Sequence, residues 1–212
     1  MKPEQFKNGG VFIPSDLENS DWLLVALHGS GGSCSDFQGL ESLFNIPEMN
    51  YLYLNGPIQT YTTYRWYTDD PSTRHDAYQY LNEAFTLIRQ KGYTPDKCFL
   101  LGFSQGGALA FEFGVRYPHV LAGYISISGR IEGLPSLLNQ GDPHVMKRGQ
   151  WLATHGSQDT VLSSEISRDQ IHLMQQSGMS ITFQEYEKGH EFDAKNELPA
   201  VASWICSRML SP

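Results

Sequence analysis

Two stretches of this chain, Trp22-Leu23-Leu24-Val25-Ala26-Leu27 and Cys98-Phe99-Leu100-Leu101-Gly102-Phe103, are apolar from end to end. A strand with one wet face alternates apolar and polar side chains, so an unbroken apolar run fits only where both faces are covered, as in a parallel sheet sandwiched between helices. Gly10–Ile13, Tyr51–Leu54, Gly123–Ser128, Trp151–His155 and Ser180–Tyr186 are the remaining strand candidates. Between them, Asp76–Lys91 sets Ala77, Tyr80, Leu81, Ala84, Phe85, Leu87 and Ile88 at helical spacing, with Gly92 past the end as a C-cap signal. Gln105–Tyr117 reads as a second helix stopped by Pro118, Ser163–Gln176 as a third, and Leu198–Leu210 as a fourth that tolerates Pro199 in its first turn. Strand and helix in alternation describe an α/β domain with a mostly parallel sheet, and 212 residues are one domain's worth of chain, expected to run from 1 to 212. In such a fold ligands sit outside the carboxyl ends of the strands, so the residues just after each strand carry the functional information.

Composition removes several partners. Fifteen Lys+Arg against 23 Asp+Glu leave a net charge of −8, with no basic run to meet nucleic acid or an anionic membrane surface. The longest apolar run, Trp22–Leu27, is far short of the ~20 residues of a membrane helix, and Met1 to Lys7 lack the apolar core of a signal peptide. Cys34, Cys98 and Cys206 are odd in number and widely spaced, signalling neither a disulfide framework nor a zinc site. The expectation is a cytoplasmic protein without stable membrane insertion, without metal or organic cofactor, and either monomeric or a homodimer.

Gly102-Phe103-Ser104-Gln105-Gly106-Gly107 carries a buried strand straight into a helix with Ser104 at the turn. So tight a turn forces the serine into a strained conformation and crowds the positions two residues either side, which must lack side chains. It also lifts the hydroxyl clear of the sheet and aims the N-terminus of the following helix at it, so that the Gln105 amide can donate to a developing oxyanion. Bare Gly-x-Ser-x-Gly is common; its setting between an apolar strand and a helix is what singles it out. In folds that use this elbow, the acid and then the base follow the serine in chain order. Of His119, His144, His155, His172 and His190, only His190 stands in a short turn after the last strand. Asp159, on the loop after Trp151–His155, is better placed than Asp142, Asp169 or Asp193, although capping the next helix is an alternative use for it. Leu27-His28-Gly29-Ser30-Gly31-Gly32-Ser33 ends a central strand in a glycine-rich loop; Ser30 is the expected second oxyanion donor, and His28 is expected to hold the loop by a hydrogen bond. A phosphate loop is the rival there, and it fails for want of the Gly-x-x-x-x-Gly-Lys lysine.

With these elements in place, the sequence resembles the phospholipase/carboxylesterase family of small α/β-hydrolases, which includes the acyl-protein thioesterases. Leu27-His28-Gly29, Gly102-Phe103-Ser104-Gln105-Gly106-Gly107-Ala108-Leu109-Ala110, His155-Gly156-Ser157-Gln158-Asp159 and Gly189-His190 look like its four signature stretches, in order, from about Val11 to Trp204. The resemblance implies an α/β-hydrolase fold with a minimal cap or none, a Ser104–His190–Asp159 triad, and a small-molecule ester or thioester as substrate. It departs from the thioesterase pattern at Gly32 and Cys34 and has Thr160 where a proline often follows the acid, looking closer to bacterial carboxylesterases. Trp66, Tyr67 and Val161 are the expected substrate contacts, with Tyr61, Tyr64, Ile131, Leu134, Leu137 and Leu138 as further groove candidates and Arg130–Gln150 as the only stretch available for a lid. Core packing is the commoner use of such aromatic and leucine clusters. The function expected is a serine carboxylesterase for short to medium acyl esters; the alternatives are a thioesterase or lysophospholipase, or a non-catalytic receptor on the same fold.

Overall fold

The computed structural model describes residues 1–210. Its framework is a seven-stranded sheet formed by β1 (Gly10–Ile13), β2 (Trp22–Leu27), β3 (Met49–Leu54), β6 (Cys98–Phe103), β7 (Gly123–Ile127), β8 (Gln150–Gly156) and β9 (Ser180–Tyr186), while β4 (Ile58–Thr60) and β5 (Thr63–Arg65) make a separate hairpin. The sheet order is β1-β3-β2-β6-β7-β8-β9, parallel throughout except for β1, which runs antiparallel to β3 at the edge. The apolar runs do lie in the middle: Leu23 to Leu27 and Phe99 to Leu101 are inaccessible to solvent.

Successive side chains of β2 go to opposite faces. Leu23, Val25 and Leu27 join one core with α2 (Pro71–Gln90), α3 (Gln105–Gly114) and α6 (Ser164–Gln176), whereas Leu24 and Ala26 join another with α1 (Leu40–Phe44) and α7 (Glu197–Met209). This is the period-2 geometry of a strand covered on both sides. Helix α2 starts five residues before the expected Asp76 because Asp70 caps it, accepting from Ser72 N–H at 2.9 Å, with Pro71 in the first turn. Helix α3 ends at Gly114, short of Pro118, where Arg116 N–H turns to the Phe113 carbonyl in a tighter last turn.

The stretch Arg130–Gln150 holds two short helices, α4 (Leu134–Gln140) and α5 (Pro143–Arg148), unmarked in the sequence reading. Leu134, Leu137, Val145 and Met146 are buried in the main core, so most of the stretch packs as structure and leaves only its first residues near a strand end. No helix among the described residues is long and apolar enough to cross a membrane.

The chain order explains where a site can form. From β2 the chain steps to β3 on one side, then returns to lay β6 on the other, so the connections after β2 and β6 diverge and open a crevice at their carboxyl ends. The loops after β7, β8 and β9 follow along the same edge.

Candidate active site

Ser104 sits in that crevice with φ 52° and ψ −115°, a conformation that costs a non-glycine residue on the order of 1–3 kcal/mol. The glycines around it are required by contact. A Cβ on Gly102 would stand 2.0 Å from the Gly106 carbonyl oxygen, and one on Gly106 would stand 2.1 Å from that of Leu27. The elbow is therefore pressed against both its own helix and the end of β2.

The Ser104 hydroxyl lies 2.8 Å from His190 Nε2, and His190 Nδ1 lies 2.7 Å from Asp159 Oδ2. The three expected residues thus stand in one hydrogen-bonded line although 86 residues separate Ser104 from His190. Parallel pairing of β8 with β9 brings the last two together, and their loops are stitched by Ser157 N–H to Tyr186 O at 2.8 Å and Gln158 N–H to Lys188 O at 3.0 Å. Gly156 makes this approach possible, since its Cβ would lie 2.4 Å from the carbonyls of both Lys188 and Gly189. Phe103 supports the imidazole from the elbow, ring centroids 5.1 Å apart.

Asp159 serves two purposes at once. Oδ1 accepts from Val161 N–H at 2.9 Å and Leu162 N–H at 2.8 Å, while Oδ2 faces His190. Helix α6 takes Ser163 as its N-cap, so the capping alternative survives only as this tight turn. Burial acts to raise the Asp159 carboxyl, but the Leu162, His190 and Val161 hydrogen bonds outweigh it and hold the group below the usual carboxylate range. A second imidazole, His155, lies 3.2 Å from Oδ2 and also faces the Leu162 carbonyl at 2.9 Å. Its burial lowers its pKa and keeps it neutral. The sequence offered His155 only as the end of a strand; its contact with Asp159 needs the turn through 156–159 to be closed.

The loop after β2 is fixed from outside. Gly31 N–H donates to Tyr64 O at 2.9 Å and Tyr64 N–H to Gly32 O at 2.7 Å, so the β4–β5 hairpin clamps the loop on both sides of the turn, with Gly31 at φ 77°. His28 holds its base as expected: Nδ1 donates to Gly29 O at 2.6 Å and Nε2 accepts from Gly56 N–H at 3.0 Å. Among the described residues the Ser30 N–H has no hydrogen-bond acceptor, and the Gln105 N–H, first in α3, has none within the helix. The Gln105 side chain ties the neighbouring wall, accepting from Trp66 N–H and donating to Tyr67 O, both at 2.9 Å.

A cavity of about 160 Å³ opens at Ser104, lined by Tyr67, Gln105, Ala108, Arg130, Glu132 and Leu162. A larger concavity of about 700 Å³ near Trp22 and Arg208 has no serine, threonine, cysteine or histidine on its walls. Two of the expected substrate contacts need correction. Trp66 is wholly buried, its indole N–H donating to His28 O at 2.8 Å, so it supports the wall from behind. Val161 is 66% exposed and off the cavity, where the adjacent Leu162 takes its place because the Asp159 turn directs successive side chains apart. Tyr67 lines the cavity; Ile131, Leu134 and Leu137 belong to the core, and Tyr61 is 94% exposed. Arg130 and Glu132 escaped the sequence reading, which searched this stretch for apolar groove residues.

A family model described as phospholipase/carboxylesterase matches residues 8–207. Carboxylesterase SOBER1 of Arabidopsis thaliana is 27% identical over 199 residues, covering 93% of this chain and 81% of its own. Acyl-protein thioesterase 1 of Saccharomyces cerevisiae is 23% identical over 223 residues, covering 92% of this chain and 96% of its own. Among solved structures, that of esterase PE8 matches with a TM-score of 0.84 at 22% identity over 93% of this chain and 97% of that one, a likeness of fold.

Proposed function

Because this chain belongs to the phospholipase/carboxylesterase family of α/β-hydrolases and is a hydrolase, we propose that it cleaves carboxylic esters by acyl transfer through Ser104, His190 and Asp159. The observation that carries the reading is the unbroken line of hydrogen bonds from the Ser104 hydroxyl through His190 to Asp159, begun at a serine in a left-handed elbow. His190 Nε2 takes the serine proton as Oγ attacks the ester carbonyl; Asp159 orients the imidazole and stabilises the imidazolium. The Ser30 and Gln105 N–H groups, both without a competing acceptor among the described residues, hold the oxyanion. His190 returns its proton to the leaving alcohol or thiol. Water, activated by the same imidazole, then releases the acid from the acyl-enzyme.

The deciding experiment is labelling with a fluorophosphonate and hydrolysis of p-nitrophenyl esters by wild type and Ser104→Ala. The wild type labels at Ser104, and the variant folds but loses roughly 10⁶-fold in kcat. Appreciable turnover by the folded variant removes Ser104 as the nucleophile, whereas a wild type that neither labels nor hydrolyses leaves the receptor reading in possession.

Short to medium acyl chains are the proposed substrates, supported by the cavity of about 160 Å³ with its polar Arg130–Glu132 end. Each methylene buried there gains ~0.8 kcal/mol until the chain reaches solvent. Across a series from acetate to palmitate, kcat/KM rises and then levels or falls. A rise sustained to palmitate in monomeric substrate favours the thioesterase or lysophospholipase alternative, to which the likeness to a yeast acyl-protein thioesterase also points. Three free cysteines accord with a cytoplasmic location.

A further inference from the structure

Arg130 lines the same cavity as Ser104, and among the described residues its guanidinium has no hydrogen-bond or ion-pair partner. Its backbone is held on both sides. Ser167 Oγ donates to the Gly129 carbonyl at 3.2 Å, and the Gln170 amide both accepts from Ile131 N–H, at 3.0 Å, and donates to Ile131 O. Gly129 is pressed against α3, where a Cβ would lie 2.8 Å from Ala108 N. The scaffold thus fixes where the side chain starts, and no group among the described residues occupies its donors.

The neighbouring charges are already matched. Arg74 lies between Glu112, at 3.0 Å, and Glu132, at 2.8 Å, with its guanidinium 4.2 Å from the Tyr67 ring centroid. Arg116 donates to the Glu112 carbonyl and to Tyr78 Oη, which in turn donates to Glu112. Arg74 therefore pairs with both glutamates while Arg130, among the described residues, pairs with neither, and it stands as the unpaired cation at the cavity wall in a protein whose net charge is −8. A guanidinium presents a planar fork of donors that matches a carboxylate in a paired geometry.

We propose that Arg130 is a specificity residue and that the cavity takes esters or thioesters carrying a carboxylate a few bonds from the scissile carbonyl. The proposal rests on the reading of Ser104 as nucleophile. The anionic group sits on Arg130 while the carbonyl lies at Ser104, and the small volume limits the spacer to a few carbons.

The test compares monoethyl succinate with ethyl valerate, and 3-acetoxypropanoate with propyl acetate, by proton release in wild type, Arg130→Gln and Arg130→Lys. In at least one pair the wild type favours the anionic ester by about tenfold or more in kcat/KM, as expected of a charge-assisted paired contact. Which pair does so tells whether the carboxylate lies on the acyl or the alcohol side. Arg130→Gln abolishes the preference, so that each anionic ester and its neutral partner are hydrolysed with similar kcat/KM, and Arg130→Lys keeps only part of it. Raising the salt concentration shrinks the wild-type preference. Equal rates on charged and neutral esters in the wild type, or a preference that survives Arg130→Gln, overturn the proposal. If the protein is inert to all four esters, fluorophosphonate labelling judges the Ser104 reading separately, and calorimetric binding of monoethyl succinate decides the Arg130 assignment on its own: tighter binding to wild type than to Arg130→Gln supports it, and equal binding overturns it.

Discussion

Ser104 occupies a backbone conformation that only its surroundings can enforce, and two glycines are what allow those surroundings to close in. The carbonyl oxygens facing Gly102 and Gly106 belong to the backbone and cannot swing away. Gly106→Ala is therefore expected to cost roughly 1–3 kcal/mol or more of stability, measured by urea unfolding, and to remove fluorophosphonate labelling by shifting the elbow. Gly31→Ala makes the contrasting case. Nothing lies within 4 Å of its added Cβ, so the cost, about 1–2 kcal/mol, comes only from φ 77° and falls on the oxyanion loop. Equal tolerance of Ala at Gly106 and at an exposed helix position in urea would contradict the close-packed elbow.

Between elements, the clearest tie is a buried ion pair. Lys188, two residues before His190, lies 2.9 Å from Glu197 in the first turn of α7, with both side chains almost wholly buried. The ammonium also donates to Glu191 O at 2.6 Å and Ser128 Oγ at 3.2 Å, so it joins the His190 loop, the end of β7 and α7. Removing one member strands a charge. Lys188→Met or Glu197→Leu is expected to cost about 3–5 kcal/mol, whereas the two combined recover most of it. Thermal unfolding of the four proteins gives the coupling, and additive losses would show that the pair does not act as one unit.

For the whole molecule, the sheet buries two imidazoles in uncharged form. Burial pushes the pKa values of His28 and His155 down, against opposing hydrogen bonds to the carbonyls of Gly29 and Leu162. The unfolded chain, with ordinary histidines near 6.5, binds protons that the folded chain refuses, so acidification favours unfolding. Stability is expected to be level above about pH 7 and to fall through and below about 6.5, by at most about 1.4 kcal/mol per pH unit for each histidine. Asp159, held low, adds a further loss only below about pH 3.9. Chemical denaturation from pH 8 to 5 measures the slope, and His155→Gln should lessen it. A stability independent of pH across that range would mean that both imidazoles reach solvent or a proton acceptor.

Local chemistry in the sequence determined the buried parallel strands, the elbow at Ser104, the glycine-rich loop after β2 and the turn holding His190, because each is dictated by neighbours a few residues away: apolar runs without a polar face, glycines where backbone must approach, a histidine after the last strand. Helix ends drifted by a few residues wherever a cap such as Asp70 or a tighter final turn set the boundary. Tertiary structure alone decided what the cavity is made of. Trp66 and Leu137 read like groove residues but lie in the core, since apolar side chains go wherever area can be buried and sequence spacing does not say on which side of a wall. Arg130 and Glu132 are single charges with no local pattern around them. Their meaning depends on which long-range partners reach them: Arg74 comes from α2 to meet Glu132, none of the described residues comes to Arg130, and pairing across the fold is a property that only the assembled sheet possesses.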